Sequence, residues 1–118
     1  MKTLIIGASK NPERYSYKAA ERLLKYGHEI ELLGLRPDEI FGQTIDTEKK
    51  QYADIDTVTL YVGPQRQAEY YDYIVSLKPR RVIFNPGTEN EKFYEILKNN
   101  NIAYETACTL VLLGTGQY

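Results

Sequence analysis

Short apolar runs alternate with helix-patterned stretches along nearly the whole chain, and that alternation leaves few folds open to it. Thr3 to Ile6 is an apolar run closed by Gly7, as expected of a strand covered on both faces. After a loop from Gly7 to Arg14, a helix pattern starts at Ser16. Ala19, Ala20, Leu23 and Leu24 share one face, and Lys18, Glu21, Arg22 and Lys25 the other. Gly27 supplies a stop. His28 to Leu33, ending at Gly34, reads as a second strand, and Phe41-Gly42 to Ile45 as a short third one. Asp56 to Val62 is a clearer fourth, closed by Gly63-Pro64. Gln65 to Leu77 reads as one helix with Ala68, Tyr71, Ile74 and Val75 inward, broken by Pro79. Arg81 to Phe84 is the fifth strand. Thr88 to Asn99 is a helix with Thr88 and Glu91 placed for a capping box. Ile102 to Glu105 is the last strand, and Thr109 to Leu113 a short helix.

This order predicts an α/β fold: a doubly wound, Rossmann-like parallel sheet with helices on both faces. In that strand count the expected order is 3-2-1-4-5-6, with a weak third strand. Length supports one domain over residues 1-118. Fifteen Lys and Arg against 16 Asp and Glu leave a net charge of -1, so no global positive field exists to draw in nucleic acid or a membrane. The single cysteine, Cys108, permits no internal disulfide and fits a cytoplasmic setting. The start lacks a signal-peptide pattern, and no apolar run approaches membrane-spanning length.

Doubly wound sheets bind ligands beyond the carboxyl ends of the strands, where strand order reverses. Four tips meet there: Gly7-Ala8-Ser9-Lys10-Asn11-Pro12-Glu13-Arg14, then Gly34-Leu35-Arg36, then Gly63-Pro64-Gln65 with Val62 before it, then Asn85-Pro86-Gly87-Thr88. The first is not the G-x-G-x-x-G fingerprint. Its glycine and small residues still leave room beside the strand end, and the helix start offers free N–H groups to a phosphate. Ser9 and Ser16 add hydroxyls, and Arg14 can fork onto phosphate oxygens. Arg36 stands where an NAD-binding domain carries an acid, and suits a phosphorylated ribose instead. Coenzyme A and NADP both carry one.

Other signals point away from chemistry. Cys108 reads as a buried structural cysteine, because the one histidine, His28, precedes the second strand at the opposite edge. That placement argues against a Cys-His pair or a Ser-His-Asp triad, and one histidine with one cysteine argues against a zinc site. Lys78-Pro79-Arg80-Arg81 reads as a solvated helix end. Tyr70, Tyr71 and Tyr73 mark either a self-association face or ordinary helix packing.

The stretch Thr3-Leu4-Ile5-Ile6-Gly7-Ala8-Ser9-Lys10-Asn11-Pro12-Glu13-Arg14-Tyr15-Ser16 resembles the opening of the small CoA-binding protein family. That family is similar to the N-terminal domain of the succinyl-CoA synthetase α subunit, standing alone. The resemblance continues through Phe41-Gly42, Asp56 to Pro64, Asn85 to Glu91, and Ala107-Cys108. It implies that Gly7, Ala8, Ser9, Arg14 and Ser16 meet a pyrophosphate and that Gly63 and Pro64 lie against the ligand's middle. The chain departs from the family at Gly34-Leu35-Arg36, where Val-Asn-Pro is usual, and at Asn85, where glutamine is usual.

The expectation is therefore non-catalytic binding of coenzyme A or an acyl-CoA. The partner is a small nucleotide ligand, with a homo-oligomer or protein partner left open. Two alternatives stand: an NADP-binding, oxidoreductase-like domain, and a ligand-free interaction protein that keeps only the fold.

Overall fold

Seven strands form one sheet in the computed structural model, which describes residues 1–118. The elements in chain order are β1 (Lys2–Ala8), α1 (Tyr15–Lys25), β2 (Glu29–Gly34), β3 (Asp38–Ile40), β4 (Gln43–Asp46) and β5 (Thr57–Leu60). Then come α2 (Pro64–Gln67), a 3-10 turn (Ala68–Tyr70), α3 (Tyr71–Leu77), β6 (Arg81–Phe84), α4 (Glu91–Asn99), β7 (Ala103–Thr106) and α5 (Thr109–Gly114). The spatial order is β3-β4-β2-β1-β5-β6-β7. All pairings are parallel except β3 with β4.

The doubly wound α/β class is as the alternation predicted, but the order gains a strand. Asp38–Ile40 folds back on β4 through the two-residue turn Phe41-Gly42, both with positive φ, and forms the edge strand on that side of the sheet. Three residues carry too little periodicity to be seen in sequence.

Strand alternation sends side chains to two cores. Leu4, Ile6, Val58, Leu60, Val82 and Phe84 face one side, under α3 and α4, with Ile74, Phe93 and Leu97. Ile5, Leu32, Ile30 and Ile45 face the other, under α1 and α5, with Ala20, Leu23 and Leu113. Each such fully buried Leu, Ile or Phe contributes about 1.5–3 kcal/mol. No helix is long and apolar enough to cross a membrane.

Several local expectations need correction. Gln65 to Leu77 is three short pieces, not one helix. The break turns Gln67, Tyr70, Tyr73 and Ile74 inward, exposes Ala68, and leaves Tyr71 and Val75 half-buried. The tyrosine cluster is thus mostly packing: Tyr70 and Tyr73 are buried, and Tyr71 stacks on Phe93 at 4.5 Å. Thr88 and Glu91 make no capping box. Asn90 is the N-cap of α4, accepting from the Phe93 N–H, while the Thr88 hydroxyl donates to the Asn85 carbonyl. Leu24 is only partly covered, at 36% exposed, and Cys108 is half-buried at the N-cap of α5.

The basic run is not a solvated helix end either. Arg81 is buried, donates to Thr57 Oγ1 and Glu105, and sits over the Tyr118 ring at 4.5 Å. Arg80 forks onto Asp56, with Nε 2.9 Å from Oδ1. That bond holds the Asp56 carboxyl below its ordinary 3.8. His28 lies against the same Tyr118 ring at 4.9 Å, and burial pushes its imidazole below the ordinary 6.5. Both folded-state values are depressed, so the unfolded chain binds more protons below the ordinary values. The stability involved is present at neutral pH and is lost as pH falls. The urea midpoint should drop in two steps, one starting near pH 6.5 from His28 and one below pH 3.8 from Asp56. His28→Gln should remove the first step only. A wild-type midpoint that stays level from pH 7 to pH 5 would contradict this assignment.

Candidate functional site

The first βα loop is built by short-range bonds. Ser9 Oγ accepts from the Asn11 N–H at 3.1 Å, and Asn11 Oδ1 from the Glu13 N–H at 3.0 Å. Arg14 N donates to Asn11 O and thereby sets the start of α1. No side chain caps that helix; the Tyr17 N–H bonds to the Arg14 carbonyl, and the Tyr15 and Ser16 N–H groups have no acceptor within the protein.

Gly7 has φ +96°, and a Cβ there would lie 2.9 Å from the Tyr61 carbonyl oxygen. The loop leaves β1 pressed against the end of β5 only because that position has no side chain. Gly7 and Gly63 consequently lie at the same end of the sheet. β1 stands between β2 and β5, so this end is the point of strand-order reversal.

A cleft of about 250 Å³ opens there. Gly7, Arg14 and Ser16 line it from the first loop, Gly63 from the loop after β5, and Gly87 from the loop after β6. Ser16 is buried at the head of α1, and Arg14 is exposed beside it. Tyr15, Tyr61, Pro86 and Thr88 complete the wall. Sequence reasoning placed Pro86 and Thr88 in a tip at this edge and missed Tyr15 and Tyr61 as lining, although strand alternation beyond Leu60 could have raised Tyr61.

Two buried amides hold the far wall. Gln67 Nε2 donates to Val62 O at 2.9 Å and to Thr88 O at 2.7 Å, tying the β5 tip to the β6 tip. Asn90 Nδ2 in turn donates to Gln67 Oε1 at 2.9 Å. Asn85 Nδ2 donates to Thr59 Oγ1 and Leu60 O, and its Oδ1 accepts from the Thr109 N–H. Asn85 was expected to touch ligand. Its side chain is instead 3% exposed and turned inward, fixing the site from beneath.

The other expected residues lie around the cleft rather than in it. Ala8 is buried against β2, and Val62 is buried with its carbonyl held by Gln67. Pro64 is the first residue of α2. Lys10 pairs with Asp38 at 3.3 Å and so links the first loop to β3; Asp38's carboxyl is held below its ordinary value mainly by the Glu39 N–H, with Lys10 next. Asn11 and Pro12 are exposed at the loop tip. Leu35 is 64% exposed, and Arg36 beside it is exposed and makes no ion pair. Ser9 is half-buried, its oxygen accepting from Asn11.

The cleft's electrostatics are simple. Its one formal charge is Arg14. Burial pushes the Tyr61 phenol up to about 12, which keeps it neutral. No carboxylate, imidazole or thiol lines the wall. Glu89, just outside, accepts from the Gly87 N–H at 2.9 Å. The arrangement offers donors to an anion and no acid–base pair.

No curated protein sequence matches the chain. Among solved structures, that of an uncharacterized protein is 52% identical, with a TM-score of 0.97 over 99% of this chain and 97% of the other. A Thermus thermophilus protein matches with a TM-score of 0.86 at 18% identity, over 99% of this chain and 90% of the other. A conserved hypothetical protein from Pyrococcus furiosus matches with a TM-score of 0.79 at 26% identity, over 90% and 91%. The last two carry the likeness of fold. A protein-family model described as the CoA binding domain matches residues 1–114, which takes in every tip of the cleft, and the chain belongs to that family.

Proposed function

We propose that this chain binds coenzyme A or an acyl-CoA at the cleft without transforming it. The observation that carries the reading is the meeting of Gly7, Arg14 and Ser16 with Gly63 and Gly87 at the strand-reversal point. The uncapped start of α1 presents N–H groups and the positive end of the helix dipole, and Arg14 adds a full charge. Together they suit a pyrophosphate.

Ligand pockets for molecules of ordinary drug size run to roughly 300–1,000 Å³. A cleft of about 250 Å³ suits the diphosphate segment of a larger ligand. The nucleoside end then runs along the sheet edge toward the tip of β2. Leu35 offers exposed apolar surface there, and the unpaired Arg36 offers a fork for a ribose phosphate. The wall without carboxylate, imidazole or thiol supports a carrier, sensor or subunit role over catalysis.

Calorimetric titration separates the two arginines. Charge-assisted hydrogen bonds of this kind contribute on the order of 1.5–3 kcal/mol each. Arg14→Ala should weaken coenzyme A and dephospho-coenzyme A alike, by roughly ten- to a hundredfold. Arg36→Ala should weaken coenzyme A similarly and leave dephospho-coenzyme A nearly unchanged. Equal binding of both ligands by the wild type would remove Arg36 from phosphate recognition. Steady thioester hydrolysis by the wild type, lost in a cleft variant, would overturn the non-catalytic reading.

A further inference from the structure

The two edges of the sheet are finished differently. One edge strand is β3, only three residues long and turned back antiparallel on β4; the other is β7, which pairs with β6 on one side and with nothing on the other. Ala107 N donates to Phe84 O. By strand alternation, Ala103 and Glu105 aim their backbone groups at β6, and Tyr104 and Thr106 aim theirs outward. Beside that edge lies an open groove of about 550 Å³, lined by Glu91, Lys92, Tyr94, Glu95 and Lys98 of α4 and by Tyr104. Tyr94 and Tyr104 stack face to face, 4.3 Å apart with planes 7° from parallel, and Phe84 meets both rings edge-on. The four charged groups of the groove make no ion pair within the chain.

We propose that a second copy of this chain pairs with β7 about a twofold axis through Tyr104, joining the two sheets into one. A twofold axis perpendicular to a sheet makes the adjoining strands antiparallel and keeps α4 and its copy on the same face. Centred on Tyr104, the two outward-facing residues exchange both N–H···O bonds as a hydrogen-bonded pair, and Glu105 stands opposite the partner's Ala103. Centred one residue later, Glu105 would stand opposite its own copy, a like-charge pair that disfavours that register.

The helix charges agree with the first register. Tyr94 stacks on Tyr104, so the middle of α4 lies near the axis. Turning α4 about that point lays it antiparallel to its copy and brings Glu91, in the first turn, toward the partner's Lys98, in the last. Negative charge at one end and positive charge at the other make the surface its own complement.

Sedimentation of the full chain, from micromolar to submillimolar concentration, tests this. The wild type should associate to a dimer. Lys98→Glu should weaken the dimer roughly tenfold or more, since it turns two opposite-charge contacts into repulsions. The double variant Glu91→Lys, Lys98→Glu should restore it. Both positions are exposed, so thermal midpoints taken at a dilution where every variant is monomeric should stay close to wild type and exclude a folding defect. A wild type that remains monomeric at submillimolar concentration would overturn the proposal. So would a Lys98→Glu variant that associates as the wild type does, or a double variant no better than the single one.

Discussion

Gly34→Ala should be among the most damaging single changes in the protein, lowering stability by roughly 3 kcal/mol or more. A Cβ at this position would lie 2.4 Å from the Ala8 carbonyl oxygen and 3.0 Å from Ile45 Cγ2. The first atom belongs to backbone, so relief requires β1 and β2 to part where Ala8 and Gly34 lie in register. That place is also the strand-reversal point, so the first loop should shift and ligand affinity should fall with stability. Thermal unfolding measures the first effect as a fall of roughly 10 °C or more. A loss below about 1 kcal/mol would mean that the strand ends are less tightly apposed than the structure has them.

Asn85→Ala should cost roughly 2–4 kcal/mol. It removes bonds to Thr59 Oγ1 (2.6 Å), Leu60 O (2.9 Å) and the Thr109 N–H (2.9 Å), all buried. The Thr109 amide opens α5, whose Leu113 packs in the second core, so the damage reaches beyond the β5–β6 junction. Denaturant unfolding with an unchanged slope would report a pure stability loss. Stability within about 0.5 kcal/mol of wild type, with ligand binding lost, would contradict this and make Asn85 a contact residue.

Gly34 and Asn85 also mark what was legible in the sequence. Both looked like departures at the ligand edge. In the structure one is a close backbone approach, and the other fastens strands β5 and β6 to a helix. Such roles depend on which backbone stands opposite, and a sequence does not display that. The strands themselves were readable, because apolar runs such as Leu4 to Ile6 and Val82 to Phe84 have to be covered on both faces. The reversal point followed from their order. The antiparallel β3 was hidden by its shortness, and the broken helix after Pro64 by a polar residue in an inward position. That residue, Gln67, is fully buried and binds two carbonyls across the cleft wall. At the cleft, Gly7, Arg14, Ser16, Gly63 and Gly87, with the tip that holds Pro86 and Thr88, were placed by topology and loop chemistry, whereas Tyr15 and Tyr61 entered only through shape.

The most direct measurement of the central claim is a titration of isotope-labelled protein with coenzyme A, followed by backbone amide resonances. The account predicts saturable shifts concentrated at Gly7, Arg14, Ser16, Gly63 and Gly87, with a second group at Leu35 and Arg36. The amides of α4 and β7 should stay still at constant protein concentration. Absence of shifts at millimolar coenzyme A, or shifts that bypass the first loop, would contradict it.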